Sequence, residues 1–458
     1  HGLIVIDPHE GNIRNIIPDP DYLRSFTIRA IYEDQNGALW LGTRGGIYVL
    51  DGNYRVIAHL VHQVQDQSSL GHNSVNHIFE DRVGNLWIAS RNGVSFANLE
   101  KIAFRYHGAG FADNRYLNDP EVYCIAEGNN GNIWLGTESG GVNILDRETG
   151  FFTYLIHDEN NDNSISSNCI KAIIRDRNGN FWIGTFLGGL DHYNPKQGRF
   201  IHYKNDPQNE NSLSDNTVWA LHEDRHGSIW IGTDKGLDRF DPMDKRIYHY
   251  GDSMQARAVQ AIFEDSKGNL YFGSSTSGLT VITPDAGMNY YDLQARVIFE
   301  DSHGRIWIGS DGNTGLKQFD IQKGIIRSYM TEDGLPSNQV FGILEDEDLQ
   351  LWISTGQGLS VFDPENEKFR TYNTADGIQG KRFYYGSYCR SSSGELLFGG
   401  QNGLTRFNPE QLMENHNIPP VVITGFKIFN KPVPVGKEFE GEIILDRSIS
   451  ETEEVVLR

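Results

Sequence analysis

The 458-residue sequence lacks long apolar runs, an even set of cysteines and an excess of basic residues. Without a run of about 18 apolar residues, no segment is predicted to span a bilayer as a helix. The three cysteines, Cys124, Cys169 and Cys389, give no even disulfide framework, and we expect them to be small buried apolar side chains. With 40 Lys and Arg against 61 Asp and Glu, the formal charge of −21 argues against a nucleic-acid partner, because phosphate binding needs a positive surface.

What the sequence does contain is a repeating cassette. Its clearest copy, EDRHGSIWIGTDKGLDRFD at residues 223–241, predicts a turn, a strand carrying Trp230, a second turn and another strand. The tryptophan position of the nine copies is filled by Trp40, Trp87, Trp134, Trp182, Trp230, Tyr271, Trp307, Trp352 and Leu397. Subtracting neighbours gives steps of 47, 47, 48, 48, 41, 36, 45 and 45 residues. A period near 45 residues is typical of a repeat architecture.

Each repeat divides into four short predicted strands. In the fifth copy they are expected at residues 217–223, 228–233, 237–241 and 246–250. Asp224 is expected to accept hydrogen bonds from amides of its own turn, and Gly227 to take the positive φ that closes the turn. Because Trp230 lies between Ile229 and Ile231, both faces of its strand are expected to be buried. Four-stranded sheets repeated at this period favour a β-propeller.

The ends of the repeat array determine the predicted domains. The last repeat has three predicted strands and lacks a fourth, whereas residues 101–106, KIAFRY, have the sequence of a fourth strand and directly precede the third repeat. We therefore predict an all-β chain with a complete seven-bladed propeller at 100–412, closed by pairing of 101–106 with the last blade. Residues 1–99 are predicted to be the C-terminal blades of a truncated first propeller, because His1 begins in mid-pattern. Residues 413–458 are predicted to begin a separate β module.

The cassette E-D-x-x-G-x-[LI]-W-[IL]-G-T resembles the two-component-regulator propeller repeat. The segment IPPVVITGFKIFNKPV, at 418–433, resembles the start of the Ig-like β-sandwich module, named for its three tyrosines, that follows such propellers. Together they look like the periplasmic sensor region of a Bacteroidetes-type hybrid two-component system. The rest of the first propeller, the tyrosine-bearing part of the Ig-like module, the membrane helix and the phosphotransfer residues are not in this sequence.

This resemblance implies a function for the full-length protein and for the fragment. The full-length protein would be a homodimeric inner-membrane sensor, a histidine kinase with a response regulator, that detects oligosaccharides and controls polysaccharide-utilisation genes. The fragment would reach the membrane only through the missing helix. It is expected to be no enzyme, with no catalytic residues, no metal and no cofactor.

Two recurring sets of polar residues are interpreted as structural. Pairs of Glu and Asp, which could suggest acid–base chemistry, occur at 33–34, 80–81, 223–224, 264–265, 300–301 and 345–346. A catalytic pair is needed once, whereas a turn is needed in every blade. The asparagines just before first strands, expected to fix the preceding turn, are Asn73, Asn168, Asn216 and Asn338.

A ligand site is predicted where the blades differ from one another. The residue four places before the cassette glutamate, here called the variable position, is mostly large and polar or aromatic although its neighbours are apolar. Its nine occupants are Arg29, Asn76, Tyr123, Lys171, Trp219, Gln260, Arg296, Phe341 and Gly386. Since the first strand of a propeller blade is innermost, the occupants in the complete ring are expected at the mouth of its channel. Arg382, Tyr384 and Tyr385 are expected nearby.

Aromatic faces with cationic and amide donors suit a sugar, because rings stack on C–H faces and Arg binds a carboxylate or sulfate. We therefore predict an oligosaccharide ligand, acidic or sulfated, at Tyr123, Lys171, Trp219, Gln260, Arg296, Phe341, Arg382, Tyr384 and Tyr385. The alternative is that these side chains fill the channel or face solvent at a tolerant position. Two other functions stay open, a propeller polysaccharide lyase or glycosidase and a protein-binding scaffold. A lyase would need a base beside an arginine, such as Tyr384 near Arg382.

Overall fold

The computed structural model of the chain describes residues 3–6, 13–16, 27–34, 37–62, 69–81, 84–98, 104–110, 114–251, 258–285, 287–412, 424–439, 441–452 and 455. The chain divides into two compact units, His1–Leu412 and Met413–Arg458. In the residues described, no helix has the length and apolar character needed to cross a membrane. The domain limits predicted at 99–100 and 412–413, and the Ig-like character of the last segment, stay predictions.

The part of the chain before residue 100 folds into antiparallel sheets. Among the described residues these have two, four and three strands. In chain order the strands are β1 (Leu3–Ile6), β2 (Ile13–Ile16), β3 (Ala30–Glu33), β4 (Leu39–Thr43), β5 (Gly46–Leu50), β6 (Val56–Leu60), β7 (Val75–Glu80), β8 (Asn85–Ser90) and β9 (Gly93–Asn98).

Seven four-stranded antiparallel sheets follow in the described residues from 104 to 412. The chain enters them through β10 (Arg105–His107), which belongs to the last of the seven. Six sheets are meanders of consecutive strands: β11 (Val122–Glu127), β12 (Ile133–Thr137), β13 (Val142–Leu145), β14 (Phe152–Leu155); β15 (Ile170–Arg175), β16 (Phe181–Thr185), β17 (Leu190–Asn194), β18 (Arg199–Tyr203); β19 (Val218–Glu223), β20 (Ile229–Thr233), β21 (Gly236–Asp241), β22 (Arg246–His249); β23 (Ala261–Glu264), β24 (Leu270–Gly273), β25 (Leu279–Ile282), β26 (Met288–Tyr291); β27 (Val297–Glu300), β28 (Ile306–Gly309), β29 (Leu316–Asp320), β30 (Gly324–Tyr329); β31 (Val340–Glu345), β32 (Leu351–Thr355), β33 (Gly358–Asp363) and β34 (Lys368–Tyr372).

The seventh sheet is built from both ends of this region. Its strands are β35 (Phe383–Arg390), β36 (Leu396–Gly400) and β37 (Gly403–Phe407), and β10 pairs antiparallel with β37. The pairing expected for residues 105 and 106 is therefore present, with Arg105 opposite Arg406 and Tyr106 opposite Thr405, while 101–103 lie outside the described residues. Consecutive first strands contact one another, and β35 contacts β11, so these strands form a closed circle. The all-β propeller fold is confirmed.

Short elements complete the description. The described residues include 3-10 helices at Thr331–Asp333, Thr374–Asp376, Pro409–Gln411 and Ile449–Glu451. In the described part of the second unit, β38 (Lys427–Ile428) forms a hairpin with β39 (Lys431–Pro432), and β40 (Glu438–Phe439) forms one with β41 (Glu442–Ile443).

In seven of the nine repeats, an aspartate closes the turn between the first two strands. Asp224 Oδ1 accepts hydrogen bonds from the amides of His226 and Ser228, both at 2.9 Å, and Gly227 has φ 91°. Asp224 Oδ2 accepts the indole N–H of Trp230 at 2.9 Å. The same carboxylate-to-ring bond joins Asp34 to Trp40, Asp81 to Trp87, Asp176 to Trp182, Asp265 to Tyr271, Asp301 to Trp307 and Asp346 to Trp352. The structural interpretation of these aspartates is confirmed.

In the seven sheets after residue 104, the glutamates of the same pairs join neighbouring sheets. Glu223 accepts hydrogen bonds from the backbone N of Arg177 in the preceding sheet at 2.8 Å and from its Nε at 2.6 Å. The equivalent backbone bonds run from Arg225 to Glu264, Ser266 to Glu300, Ser302 to Glu345 and, from the last sheet to the first, Ser392 to Glu127. At the two remaining junctions the glutamate position holds Arg175 and Arg390, which donate to the Gly128 carbonyl and the Glu347 carboxylate.

The asparagines that precede first strands fix the loop before them, as predicted. Asn168 Oδ1 accepts the amide of His157 at 2.8 Å, and its carbonyl accepts the amide of Gly141 at 2.9 Å. Equivalent side-chain bonds join Asn73 to His62, Asn216 to Asn205 and Asn338 to Thr331.

The core lies between neighbouring sheets. In the fifth repeat Ile229, Trp230 and Ile231 are all at most 5% exposed, as expected for a strand buried on both faces. In the seven sheets after residue 104, each tryptophan of a second strand packs on an aromatic ring of the following sheet: Trp134 on Phe181, Trp182 on Phe240, Trp230 on Phe272, Trp307 on Phe362 and Trp352 on Phe407. Of the three cysteines only Cys124 is buried, so the expectation was wrong for Cys169 and Cys389, which are partly exposed.

Replacing Asp224 by Ala should lower the free energy of unfolding by about 3 kcal/mol, because two turn amides and a buried indole lose their acceptor. Asp81→Ala is the matched control: Trp87 is 42% exposed, so its indole can donate to water, and we expect a loss of about 1 kcal/mol. Urea unfolding followed by tryptophan fluorescence measures both. Equal losses would contradict the role given to the buried carboxylate.

A second buried carboxylate gives the fold a pH dependence. Asp191 is 0% exposed and accepts bonds from Ser166 N at 2.8 Å, Ser166 Oγ at 2.9 Å and His202 Nδ1 at 2.6 Å. The hydrogen bond to Asp191 raises the pKa of His202 above its ordinary value, and partial burial opposes this. A raised folded-state pKa means that protonation stabilises the fold below about pH 6.5, and that this stabilisation is lost as pH rises through the folded-state pKa.

We therefore expect the stability advantage of the wild type over His202→Gln to be largest at mildly acidic pH and to shrink in alkaline solution. Urea unfolding of both proteins across this range measures the difference. In an Asp191→Asn background, the contribution of His202 to stability should no longer depend on pH in this way, because His202 has lost its carboxylate partner. An advantage that grew with pH would refute the assignment.

Candidate functional site

The variable position is a β-bulge in most of the ring. In β11 the register passes from Val122 to Cys124, so Tyr123 has no partner residue in β12. The same skip occurs at Lys171, Trp219 and Phe341. A bulge residue stands outside the ladder and its side chain is turned away from the regular alternation, as is common next to binding sites. Gln260 and Arg296 stand directly before β23 and β27.

A second set of residues, missed in the sequence, accompanies the variable position. These residues, here called the turn position, lie in the turn between the second and third strands, fifteen residues after the variable position. In the ring they are Glu138, Phe186, Asp234, Ser275, Asp311, Gly356 and Gln401. Three of them bind the variable residue of their own repeat. Trp219 Nε1 donates to Asp234 at 2.9 Å, Ser275 Oγ donates to Gln260 at 2.8 Å, and Arg296 Nη1 pairs with Asp311 at 3.1 Å.

Tyr123 is enclosed on both faces. Tyr384 stacks on it with ring centroids 4.3 Å apart and planes 5° from parallel. On the opposite face, Lys171 Nζ lies 3.6 Å from the ring centroid. The Lys171 side chain is 8% exposed and pairs with Glu138 at 2.5 Å, while burial, followed by the Glu138 charge, raises the pKa of Tyr123. In this arrangement neither face of Tyr123 is open to a sugar, and the charge of Lys171 is compensated.

A parallel arrangement surrounds Tyr385. Arg296 Cζ lies 3.8 Å from its ring centroid, and the ring of Phe341 meets it edge-on with centroids 4.7 Å apart. Burial is the main cause of the raised pKa of Tyr385, Asp311 adds to it, and Arg296 opposes it. The guanidinium group of Arg296 therefore already contacts the ring of Tyr385 and the carboxylate of Asp311.

Beside these two clusters lies a cavity of about 670 Å³. It is lined by Asp311, Gln339, Phe341, Gly356, Lys381, Arg382, Phe383, Tyr384, Tyr385, Gln401 and Asn402. Four of the predicted ligand residues are therefore at the cavity, namely Phe341, Arg382, Tyr384 and Tyr385. Tyr123 does not line the cavity but stacks on Tyr384, which does. Lys171 in turn contacts Tyr123 and lies 6.0 Å from the ring of Trp219, and neither Lys171 nor Trp219 lines the cavity. Gln260 is bonded to Ser275 and does not line the cavity.

The charge of the cavity lining is positive. Asp311 is the one carboxylate among its described lining residues, and Asp311 already pairs with Arg296. Lys381 and Arg382 are exposed. With three side-chain amides and two tyrosine edges, this lining can donate hydrogen bonds to hydroxyls and bind a carboxylate or sulfate.

The lining is poorly equipped for proton transfer. It contains no histidine among the residues described, and burial raises the pKa of Tyr384 above that of a free phenol. A phenol with a raised pKa stays protonated at neutral pH and serves as a donor rather than a base. No group of three or more His, Cys, Asp or Glu in the described ranges is arranged to hold a metal ion.

The ion pair beside Tyr123, in which Lys171 is buried and Glu138 is 42% exposed, should be stronger than a pair on the same propeller whose cation is exposed. In a double-mutant cycle, Lys171→Met with Glu138→Gln should show a coupling of about 1.5 kcal/mol, because Lys171 has little competing water. The control pair Lys235 and Asp215 lies at 3.3 Å, but Lys235 is 66% exposed, so its coupling should stay below about 0.5 kcal/mol. Unfolding free energies of the seven proteins in the two cycles, which share the wild type, test this, and equal couplings would contradict it.

Comparisons with known proteins agree with the repeat pattern. Residues 25–45, 69–92, 116–139, 164–186, 212–235 and 292–312 match the family of two component regulator propellers. The chain thus contains two-component regulator propeller repeats, as the resemblance implied. Histidine kinase P4 of Formosa agariphila is 30% identical over 125 residues, which are 27% of this chain and 9% of the kinase.

The fold is similar to several solved structures. The extracellular domain of the proposed hybrid two-component system BT3049 from B. thetaiotaomicron matches with a TM-score of 0.69 at 23% identity, covering 95% of this chain and 64% of that one. The corresponding domain of BT4673 matches at 0.55 and 21% identity, covering 94% and 58%. A streptogramin B lyase matches at 0.52 and 16% identity, covering 68% and 99%. At these identities the similarity concerns the fold, and the chain spans less than two thirds of both B. thetaiotaomicron domains.

Proposed function

We propose that this chain is the periplasmic sensor region of a hybrid two-component system and that it binds an oligosaccharide without transforming it. The observation that carries the proposal is the cavity at Arg382 and Tyr384, which combines uncompensated cations, amides and aromatic edges. The two-component regulator propeller repeats and the relationship to a histidine kinase support the signalling role.

The proposed ligand is an acidic or sulfated oligosaccharide. Lys381 and Arg382 supply charge for a carboxylate or sulfate, and Gln339, Gln401 and Asn402 supply donors and acceptors for hydroxyl groups. The edges of Tyr384 and Tyr385 supply apolar contact for the C–H faces of the sugar rings. A cavity of about 670 Å³ lies within the range of small-molecule sites.

The position of the cavity suggests how binding is transmitted. Its lining comes from three consecutive sheets, represented by Asp311, Phe341 and Tyr384. A ligand that contacts all three favours one relative placement of these sheets, and the last of them is completed by β10. In the full-length protein this bias would act on a dimeric histidine kinase and its response regulator, which control polysaccharide-utilisation genes.

A lyase is the rival function, since an arginine and a tyrosine share the cavity. Tyr384 is a poor candidate for the base, because its pKa is raised and its ring is stacked on Tyr123. A glycan array screened with this chain, followed by calorimetry and long-incubation product analysis, separates the functions. Binding without turnover supports the sensor, turnover supports the lyase, and the absence of both favours a protein-binding scaffold.

For an acidic oligosaccharide found in this way, Arg382→Gln should weaken binding by about tenfold or more, because a charge-assisted hydrogen bond is lost. Arg246→Gln changes the net charge equally but lies on the outer strand β22, and it should leave the affinity unchanged. Titration calorimetry of both variants measures the two affinities. A similar loss in both would mean that the ligand responds only to overall charge.

A further inference from the structure

A second pocket lies on the sheets before residue 100. It has a volume of about 490 Å³ and is lined by Arg29, Arg44, Ser74, Asn76 and Arg91. These residues come from two neighbouring repeats and from the two positions already defined in the ring. Arg29 and Asn76 occupy variable positions, and Arg44 and Arg91 occupy the turn positions fifteen residues later.

The charges at the turn positions of this pocket are opposite in sign to those in the ring. The ring places Glu138, Asp234 and Asp311 at turn positions, and there Asp234 and Asp311 compensate a donor at the variable position. Here both turn positions are arginines. Among the described residues, the lining consequently holds three guanidinium groups and no carboxylate. In a chain with a formal charge of −21, this concentration of positive charge is a local exception.

In the part of the chain that the structure describes, Arg29 contacts neutral acceptors and no carboxylate. Its Nη1 donates to Ser74 Oγ at 3.1 Å and to Asn76 Oδ1 at 2.6 Å, both neutral acceptors. Arg91 is fixed to the same segment through its backbone, since its amide donates to the carbonyl of Ser74 at 3.1 Å. The side chains of Arg29, Arg44 and Arg91 are all exposed, so a ligand can reach them.

Three guanidinium groups repel one another, and an anion between them removes that repulsion. The planar guanidinium matches carboxylate and sulfate oxygens with two parallel hydrogen bonds, a fit that Lys does not offer. Asn76 uses its oxygen toward Arg29, and its amide group also carries two N–H donors. From this geometry we propose that residues 29, 44, 74, 76 and 91 form a second ligand site, specific for an oxyanion and distinct from the ring cavity.

Titration calorimetry with inorganic sulfate, N-acetylglucosamine 6-sulfate and glucuronic acid tests the site, with neutral N-acetylglucosamine as the uncharged comparison. We expect the charged probes to bind and Arg91→Gln and Arg44→Gln each to weaken binding by about tenfold. Arg246→Gln provides the control for net charge. Hydrogen–deuterium exchange localises the event, since protection should appear in residues 69–81 and 84–98 when a probe is added.

Stronger binding of the sulfated sugar than of inorganic sulfate identifies a glycan-borne anion, and equal binding identifies a free one; both support the site. No binding of any charged probe at about 10 mM would overturn the proposal. It would also be overturned by equal losses in Arg91→Gln and Arg246→Gln, or by protection confined to the ring cavity. Circular dichroism of the variants confirms that a loss of binding is not a loss of folding.

Discussion

The carboxylate that closes the turn after the first strand in seven of the nine repeats is the interaction on which the sheets depend. Asp224 accepts two turn amides and the indole N–H of Trp230, so one side chain sets both the turn and the orientation of the second strand. Since that indole then packs on Phe272 in the next sheet, a local turn also determines how two sheets fit together. Trp134, whose turn has no aspartate, is instead stacked on Phe181 at 3.7 Å.

Between sheets, hydrogen-bond complementarity matters more than residue identity. Five junctions use a glutamate that accepts a backbone amide from the neighbouring sheet, and the bond from Ser392 to Glu127 is the one that joins the last sheet to the first. The other two junctions carry Arg175 and Arg390 at the glutamate position and reverse the direction of donation. Either direction satisfies the groups concerned. The pairing of β10 with β37 then completes the last sheet.

The strands, turns and closing segment could be predicted because they are set by near neighbours in the sequence. The strand expected at 217–223 is found at Val218–Glu223, and residues 105 and 106 pair where their pattern indicated. The variable position was also visible, as a polar residue among apolar ones. The residues that surround it could not be predicted, because Tyr123 lies in the first sheet of the ring and its partner Tyr384 in the last. In the sequence, the turn position differs from its neighbours only by its fixed distance of fifteen residues from the variable position. The contact between the two positions becomes visible only in the folded sheet, where Trp219 donates to Asp234.

The bulge at the variable position allows one strand both to keep its pairing with the next strand and to carry a side chain that varies between repeats. Because Tyr123, Lys171, Trp219 and Phe341 stand outside the pairing register, a new side chain there leaves the ladder bonds of the sheet intact. Substitutions can therefore accumulate at these places while the scaffold persists. In the ligand site proposed above, which includes Phe341, such exchanges would let related proteins bind other molecules with little penalty in folding.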